Sequence, residues 1–156
     1  MQAIRLLLAD DHALVRAGIR ALINQMEGVK VVAESSDGLE ALRLIEELQP
    51  DIALLDVTMP GLNGFEVLER VSARFHQVRI IILSVHDGRE YYRQALSAGA
   101  AGYLSKTAAS AELQSAIEAV ARGETYVSGE VGNTAQATSA DGQQTNRGRR
   151  LRRLVP

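Results

Sequence analysis

Apolar residues are concentrated in five short runs that recur about every 25 residues along the chain. The runs are IRLLLA (4–9), VKVVAES (29–35), IALLD (52–56), RIIILS (79–84) and AGYLS (101–105). Continuous runs of Ile, Val and Leu are typical of β-strands that are covered on both faces. The pattern therefore predicts five buried strands.

Between these runs lie segments in which apolar residues recur with the period of an α-helix. The apolar face of the first segment comprises Leu14, Val15, Ile19, Leu22, Ile23 and Met26, and that of the second comprises Leu39, Leu42, Ile45 and Leu48. Alternating strands and helices predict right-handed crossovers and a parallel sheet with helices on both faces. Five units cannot close an eight-stranded barrel. We therefore expect an open, doubly wound α/β sheet of the flavodoxin-like class, for which the general strand order is 2-1-3-4-5.

The periodic pattern ends after Gly123, and the residues that follow are mostly small and polar. We predict an ordered domain over residues 1–125 and a disordered tail over residues 126–156. The formal net charge of −2 is unevenly distributed, since residues 131–156 contain five arginines and one aspartate, whereas residues 1–130 contain 12 basic and 18 acidic side chains. The sequence thus predicts an acidic domain that carries a basic tail.

Composition excludes several kinds of protein. The chain has no cysteine, which rules out disulfides and thiolate metal sites. The opening MQAIRLLLADDH has too short an apolar core for a signal peptide, and no stretch approaches the roughly 18 apolar residues that span a bilayer. We expect a cytoplasmic protein without a membrane segment.

Polar side chains that could bind a ligand or take part in a reaction follow the predicted strands. Asp10 and Asp11 come at the end of the first strand, and Asp56 ends the third. Ligands of open parallel sheets bind beyond the carboxyl ends of the strands, where the strand order reverses, so the three carboxylates should meet there. Oxygen ligands at a water-accessible edge suit Mg²⁺. Ser84 ends the fourth strand and Lys106 follows the fifth, which adds a hydroxyl and an ammonium group to the same edge.

Four motifs occur in order along the chain: ADDH (9–12), LLDVTMPGLNGFE (54–66), ILSVHD (82–87) and AGAAGYLSK (98–106). Together they resemble the receiver domain of bacterial response regulators, in particular the LuxR/NarL-like subfamily whose output domain is a helix-turn-helix. The resemblance covers about residues 2–125. It implies a phosphorylation-dependent switch of a two-component system rather than an enzyme, with a sensor histidine kinase as partner and a phosphorylation-dependent homodimer.

The same resemblance implies roles for individual residues. Asp56 matches the aspartate that accepts the phosphoryl group. The Mg²⁺ ligands are matched by Asp11, Asp56 and the backbone carbonyl of Thr58, with Asp10 acting mainly through a bound water. Lys106 matches the lysine that contacts the phosphoryl group.

Two further residues match the parts of the family that move. Ser84 matches the hydroxyl that shifts onto the phosphoryl group, and Tyr103 matches the aromatic side chain that then swings inward. Packing alone would leave Tyr103 half-buried with its hydroxyl in water. Similarly, an isolated strand-end serine such as Ser84 is more often bonded to the backbone.

The three histidines do not form a metal-binding pattern. His12 adjoins the acidic pair, but His76 and His86 lie far away in the sequence. We expect all three to be surface or helix-start residues rather than ligands of a transition metal.

Two other functions remain open at this stage. One is a Mg²⁺-dependent phosphohydrolase with an aspartyl nucleophile, although the chain lacks the D-x-D motif of the dehalogenase-like phosphatases. The other is a binding module in which the acidic site is vestigial.

The tail raises a separate question about DNA. The 26 residues after 130 are too few and too polar for the helix-turn-helix of the LuxR-like subfamily, so we do not expect sequence-specific DNA binding from this chain. The cluster RGRRLRR (147–153) could contact nucleic acid phosphates non-specifically. Its alternative is a solvated basic tail, such as a truncated or frame-shifted transcriptional regulator would carry.

Overall fold

The computed structural model describes residues 2–85 and 89–128. Its single sheet has six strands in the order β2-β1-β3-β4-β5-β6, and every neighbouring pair is parallel. The strands are β1 (Ile4–Ala9), β2 (Val29–Ser35), β3 (Ile52–Asp56), β4 (Arg79–Ser84), β5 (Gly102–Ser105) and β6 (Tyr126–Val127). The helices are α1 (Ala13–Asn24), α2 (Gly38–Leu48), α3 (Gly64–Arg74), α4 (Arg89–Ser97) and α5 (Ala109–Ala121), with a 3₁₀ turn over Lys106–Ala108. The predicted flavodoxin-like class and the order 2-1-3-4-5 are confirmed.

Two apolar layers hold the helices on the sheet. Helices α1 and α5 cover one face, where Ile19, Ile23 and Leu113 pack against the strands. Helices α2, α3 and α4 cover the other face, with Ile45 and Leu68 at its centre. Because both faces are covered, the middle strands are apolar without interruption, and this explains the continuous runs in the sequence.

The five predicted strands are all present, and a sixth strand that the sequence did not predict extends the sheet. The chain turns at Gly123, whose φ is +92°, and returns along the exposed edge of β5. There the backbone N–H of Tyr126 donates to the carbonyl of Ala101 at 3.0 Å, and that of Ser128 donates to the carbonyl of Tyr103 at 2.8 Å. These residues belong to the segment that the sequence assigned to the tail. A strand of two residues is too short to show a periodic pattern.

Helices α2 and α5 begin in different ways. The side chain of Asp37 caps α2 by accepting the backbone N–H of Glu40 at 2.7 Å. Helix α5 follows directly on the 3₁₀ turn, and no side chain caps its start.

Three predicted core positions are exposed. Leu14 is 86% exposed, Leu39 is 57% exposed and Val15 is 37% exposed, although all three fall on the apolar faces of their helices. Each lies in the first turn of its helix, which begins beyond the carboxyl ends of the strands, and the sheet does not extend far enough to cover it.

The remaining predictions for the end of the chain concern residues outside the described ranges. The predicted disorder of the tail falls mainly on residues 129–156, and the basic cluster at 147–153 lies entirely among them. The boundary at residue 125 stays a prediction. No helix within the described residues is long and apolar enough to span a membrane.

Candidate functional site

The acidic side chains that the sequence placed at strand ends meet in the structure. Strands β1 and β3 are neighbours, with Ala9 paired to Leu55. The residues that follow this pair are therefore side by side at the carboxyl edge of the sheet. The side chains of Asp10, Asp11 and Asp56, together with His12, offer ligand atoms that all lie within 4.8 Å of one another. The predicted convergence of residues 45 positions apart is confirmed.

Lys106 joins two of these carboxylates. Its Nζ lies 2.8 Å from Oδ2 of Asp10 and 3.0 Å from Oδ2 of Asp56. The lysine is the first residue after β5, so its side chain reaches across the carboxyl edge of the sheet. The side chains of Asp10, Asp56 and Lys106 are 0%, 5% and 10% exposed, which makes this a nearly buried ion-pair cluster.

Burial and charge interactions both shift the pKa values in this cluster. It raises the pKa of Asp56 from 3.8 to about 6, with a further contribution from the negative charge of Asp10, while Lys106 acts in the opposite direction. For Lys106, burial would lower the pKa, but its hydrogen bonds and charge interactions with Asp10 and Asp56 together outweigh burial and raise it. At neutral pH the lysine is thus positively charged and Asp56 is mostly ionised, although at a cost in stability.

The loop after β3 packs closely against Asp56. The N–H of Thr58 donates to Oδ1 of Asp56 at 3.3 Å. Gly64, the first residue of α3, lies so near that a Cβ atom there would come within 2.4 Å of the Asp56 carbonyl oxygen. Any larger residue would push the loop away, so glycine is required for this close approach. The predicted role of the Thr58 carbonyl as a metal ligand stays a prediction.

Ser84 and Tyr103 both lie deep in the fold. Ser84 ends β4 and is 1% exposed, one residue beyond Leu83, which pairs with Asp56. Ser84 therefore ends its strand at the same edge of the sheet as Asp56, and its role in the switch stays a prediction. Tyr103 is fully buried in β5, contrary to the half-buried position that packing alone suggested. The reason is that α4 and β6 cover the edge of the sheet on either side of it. Its predicted inward movement stays a prediction, and it starts from a side chain that is already inside.

His12 lies closer to the acids than its assignment as a surface residue suggested. Its Nδ1 lies 3.2 Å from Oδ1 of Asp11 and 3.4 Å from Oδ1 of Asp10, although the side chain is 65% exposed. Its backbone N–H donates to Oδ1 of Asp10 at 2.8 Å. It is thus a helix-start residue, as expected, whose ring borders the acidic cluster. Of the other two histidines, His76 is exposed and His86 lies outside the described residues.

The donor set fits a hard divalent cation. Oδ2 of Asp10 and Oδ2 of Asp56 are buried, and among the described residues their one polar partner is the Lys106 ammonium group. A single lysine charge does not balance three carboxylates, so the cluster carries a formal charge of −2 before His12 is considered. Carboxylate oxygens with this excess of negative charge are the ligands that Mg²⁺ prefers. Asp10, Asp11 and Asp56 are the residues that would hold it.

Sequence reasoning missed one contact at this site. The guanidinium group of Arg16, in the first turns of α1, donates to the backbone carbonyl of Asp10. An arginine on an amphipathic helix is normally expected to be a solvated side chain. The sequence shows no signal that would have singled out Arg16.

Comparison with known proteins agrees with the geometry. The family model described as the response regulator receiver domain matches residues 6–118. The response regulator UvrY of Escherichia coli K12 is 38% identical over 142 residues, which cover 91% of this chain and 65% of UvrY. The chain thus spans slightly less than two thirds of the length of this relative.

Solved structures show the same fold. A two-component response regulator of the LuxR family from Aurantimonas sp. SI85-9A1 superposes with a TM-score of 0.85 and 37% identity, over 89% of this chain and 99% of that one. The isolated receiver domain of RcsB from Salmonella enterica serovar Typhimurium, solved with the phosphomimetic BeF3-, has a TM-score of 0.79 and 25% identity, over 85% of this chain and 98% of that one. The acidic edge, the sheet order and these matches lead to one conclusion: the chain belongs to the receiver-domain family of two-component response regulators.

Proposed function

We propose that this chain is a phosphorylation switch in which Asp56 accepts a phosphoryl group from a sensor histidine kinase. The observation that carries the proposal is the meeting of three carboxylates and one lysine at the carboxyl edge of the sheet, with Lys106 Nζ 3.0 Å from Asp56 Oδ2. The structure of a related receiver domain with a phosphomimetic supports the same chemistry for its family.

The reaction that we propose is a transfer from nitrogen to oxygen. A carboxylate oxygen of Asp56 attacks phosphorus, the P–N bond of the phosphohistidine breaks, and an acyl phosphate forms while the histidine nitrogen keeps the bonding electron pair. Asp56 must be ionised for this attack. With a pKa of about 6 it is mostly ionised at neutral pH. Lys106 would then neutralise charge on the phosphoryl oxygens.

A bound Mg²⁺ would supply further neutralisation of the transferred group. We assign its binding to Asp10, Asp11, Asp56 and the carbonyl of Thr58. The support is the charge of the three carboxylates and the two buried oxygens that have only Lys106 as a polar partner within the described part of the chain.

Ser84 and Tyr103 are our candidates for transmitting the switch. The phosphoryl group brings three acceptor oxygens and carries roughly −1.5 to −2 charges in place of the single charge of Asp56. Ser84 lies at the end of the strand next to Asp56, so a small movement could bring its hydroxyl onto one of those oxygens. Tyr103 lies on the next strand, where Leu104 pairs with Leu83. A shift of Ser84 would reach this buried ring through the pairing of β4 with β5.

The surface around the site suits a protein as phosphodonor. Four large apolar side chains are exposed in the described residues, namely Leu14, Val15, Leu39 and Val85. All of them lie in segments at the carboxyl edge of the sheet, where the donor must approach. Their burial against a kinase would stabilise the encounter. We also propose, from the family resemblance, that phosphorylation promotes a homodimer.

Treatment with acetyl phosphate and Mg²⁺, followed by mass spectrometry, tests the proposal. We expect one phosphoryl group per chain, which is lost on treatment with hydroxylamine and absent in Asp56→Asn. Asp51→Asn is the matched control, because Asp51 precedes the same strand at its opposite end and should not change the uptake. Failure of the unmodified chain to take up phosphate would favour the vestigial binding module. Repeated turnover of a phosphate ester would favour the phosphohydrolase.

A further inference from the structure

Arg16 connects helix α1 to two strands at the edge of the site. Its Nη1 donates to the backbone carbonyl of Asp10 at 2.5 Å, and its Nε lies 3.3 Å from Oε1 of Glu34 on β2. The side chains of Arg16 and Glu34 are 22% and 26% exposed, so both are largely shielded from water. The guanidinium group is planar and rigid, and the two contacts therefore fix its orientation.

The carbonyl that Arg16 binds occupies a special position. It belongs to the peptide unit that joins Asp10 to Asp11, the two neighbouring carboxylates of the site. On its other side, the N–H of Asp10 donates to the carbonyl of Ser35 on β2 at 3.0 Å. Both backbone polar groups of Asp10 are thus held by partners outside β1, and the orientation of this peptide decides where the two carboxylates point.

We propose that Arg16 is a positioning residue for the cation site, with Glu34 as its anchor. The guanidinium group holds the Asp10–Asp11 peptide in the orientation that directs both carboxylates toward Asp56. This inference rests on the proposed function, because it concerns the site that would bind Mg²⁺. In this role Arg16 would touch neither the cation nor the phosphoryl group, because its contacts are with the Asp10 carbonyl and Glu34. It acts through the backbone of Asp10.

Arg20 provides an internal control for this role. It lies one turn further along α1, and its Nη1 is 2.9 Å from both carboxylate oxygens of Glu34. Within the described residues, Arg20 has no hydrogen bond to the loop between β1 and α1. The two arginines therefore share the same charge, helix and anchor, and they differ in the contact with Asp10.

The test compares Mg²⁺ binding by the full chain and by three variants, Arg16→Lys, Arg16→Gln and Arg20→Gln. Dissociation constants are measured by calorimetric titration, and melting temperatures are measured in EDTA. Lysine keeps the positive charge but cannot bridge Glu34 and Asp10 in the same way. We expect both Arg16 variants to bind Mg²⁺ about tenfold more weakly, which is typical for the loss of a group that orients metal ligands. Arg20→Gln should stay within about twofold of the unmodified chain.

The melting temperature in EDTA separates positioning from simple stability. Arg16→Gln and Arg20→Gln should lower it by similar amounts, because each loses an ion pair with Glu34, while only Arg16→Gln weakens Mg²⁺ binding. Unchanged Mg²⁺ affinity in Arg16→Lys would overturn the inference, since charge alone would then suffice. The inference would also be overturned if Arg20→Gln weakened Mg²⁺ binding as much as the Arg16 variants do. If the unmodified chain itself binds no Mg²⁺, the proposed function fails and not just the role of Arg16.

Discussion

Neutralising the proposed phosphoacceptor should stabilise the metal-free protein. Burial of Asp56 raises its pKa from 3.8 to about 6, and this value already includes the opposing attraction of Lys106. The folded protein therefore binds a proton at Asp56 more tightly than the unfolded chain does. Such a group contributes stability below pH 3.8, and this contribution is lost as the pH rises through 6.

The size of the effect follows from the pKa difference. A shift of about two units corresponds to about 3 kcal/mol between the protonated and ionised forms. Asn is a neutral group of nearly the same shape as a protonated Asp. At pH 7.5, Asp56→Asn should therefore raise the free energy of unfolding by up to about 3 kcal/mol. The gain should shrink steadily below pH 6 and vanish well below pH 3.8, where the wild-type carboxyl is protonated in both states.

Urea denaturation in EDTA, followed by far-UV circular dichroism between pH 4 and 8, measures this difference. Glu69→Gln is the matched control, because Glu69 is exposed on α3 and its substitution should change stability by less than about 0.5 kcal/mol. Saturating Mg²⁺ should stabilise the wild type and narrow the gap, since a ligand that binds only the folded state stabilises it by mass action. An Asn variant that is less stable than the wild type at pH 7.5, or a gain that does not depend on pH, would refute this account of the cluster.

Three further predictions concern the same cluster and the tail. Asp11→Asn should weaken Mg²⁺ binding at least about tenfold, because a hard-cation site loses a charged ligand; unchanged affinity in a calorimetric titration would contradict the assignment. Lys106→Met should destabilise the metal-free protein by about 3–5 kcal/mol, because it leaves the buried carboxylates of Asp10 and Asp56 without their cation; urea denaturation at pH 7.5 measures this, and a loss below about 1 kcal/mol would show that water already solvates the pair. Deleting residues 131–156 should leave the melting temperature nearly unchanged, because that sequence has no apolar periodicity with which to join a core; a drop of many degrees would show that the tail docks on the domain.

The sequence predicted the bounds of the first four strands. Strands β1 to β4 begin and end where the predicted runs do. The pattern is clearest in β3, which is buried at all five positions, because a strand covered on both faces needs mainly apolar residues. The acidic site was predictable for a related reason. Parallel strands direct their carboxyl ends to one edge, so Asp10 and Asp56 had to meet once their strands were neighbours.

The errors share a different physical cause. The apolar period of α1 included Leu14, but periodicity reports which side of a helix faces inward and not whether the sheet extends beneath each turn. Strand β6 consists of two residues, and its main-chain bonds to β5 leave no trace in side-chain polarity. Arg16 shows the same limit, because its bond is to a backbone carbonyl that every residue possesses.

The net charge of the cluster explains why such a site could act as a switch. Asp10, Asp11, Asp56 and Lys106 sum to −2, so one divalent cation would bring the cluster to neutrality. Phosphorylation would replace the single charge of Asp56 with roughly −1.5 to −2, and the cluster would again be negative. In a nearly buried site this excess cannot be left to water, so nearby donors must move toward it. Ser84 is a buried hydroxyl at the end of the adjacent strand β4. This strand pairs with β5, which carries the buried ring of Tyr103, so a displacement at Ser84 would be transmitted through the pairing. A change of about one charge would thus become a change in packing.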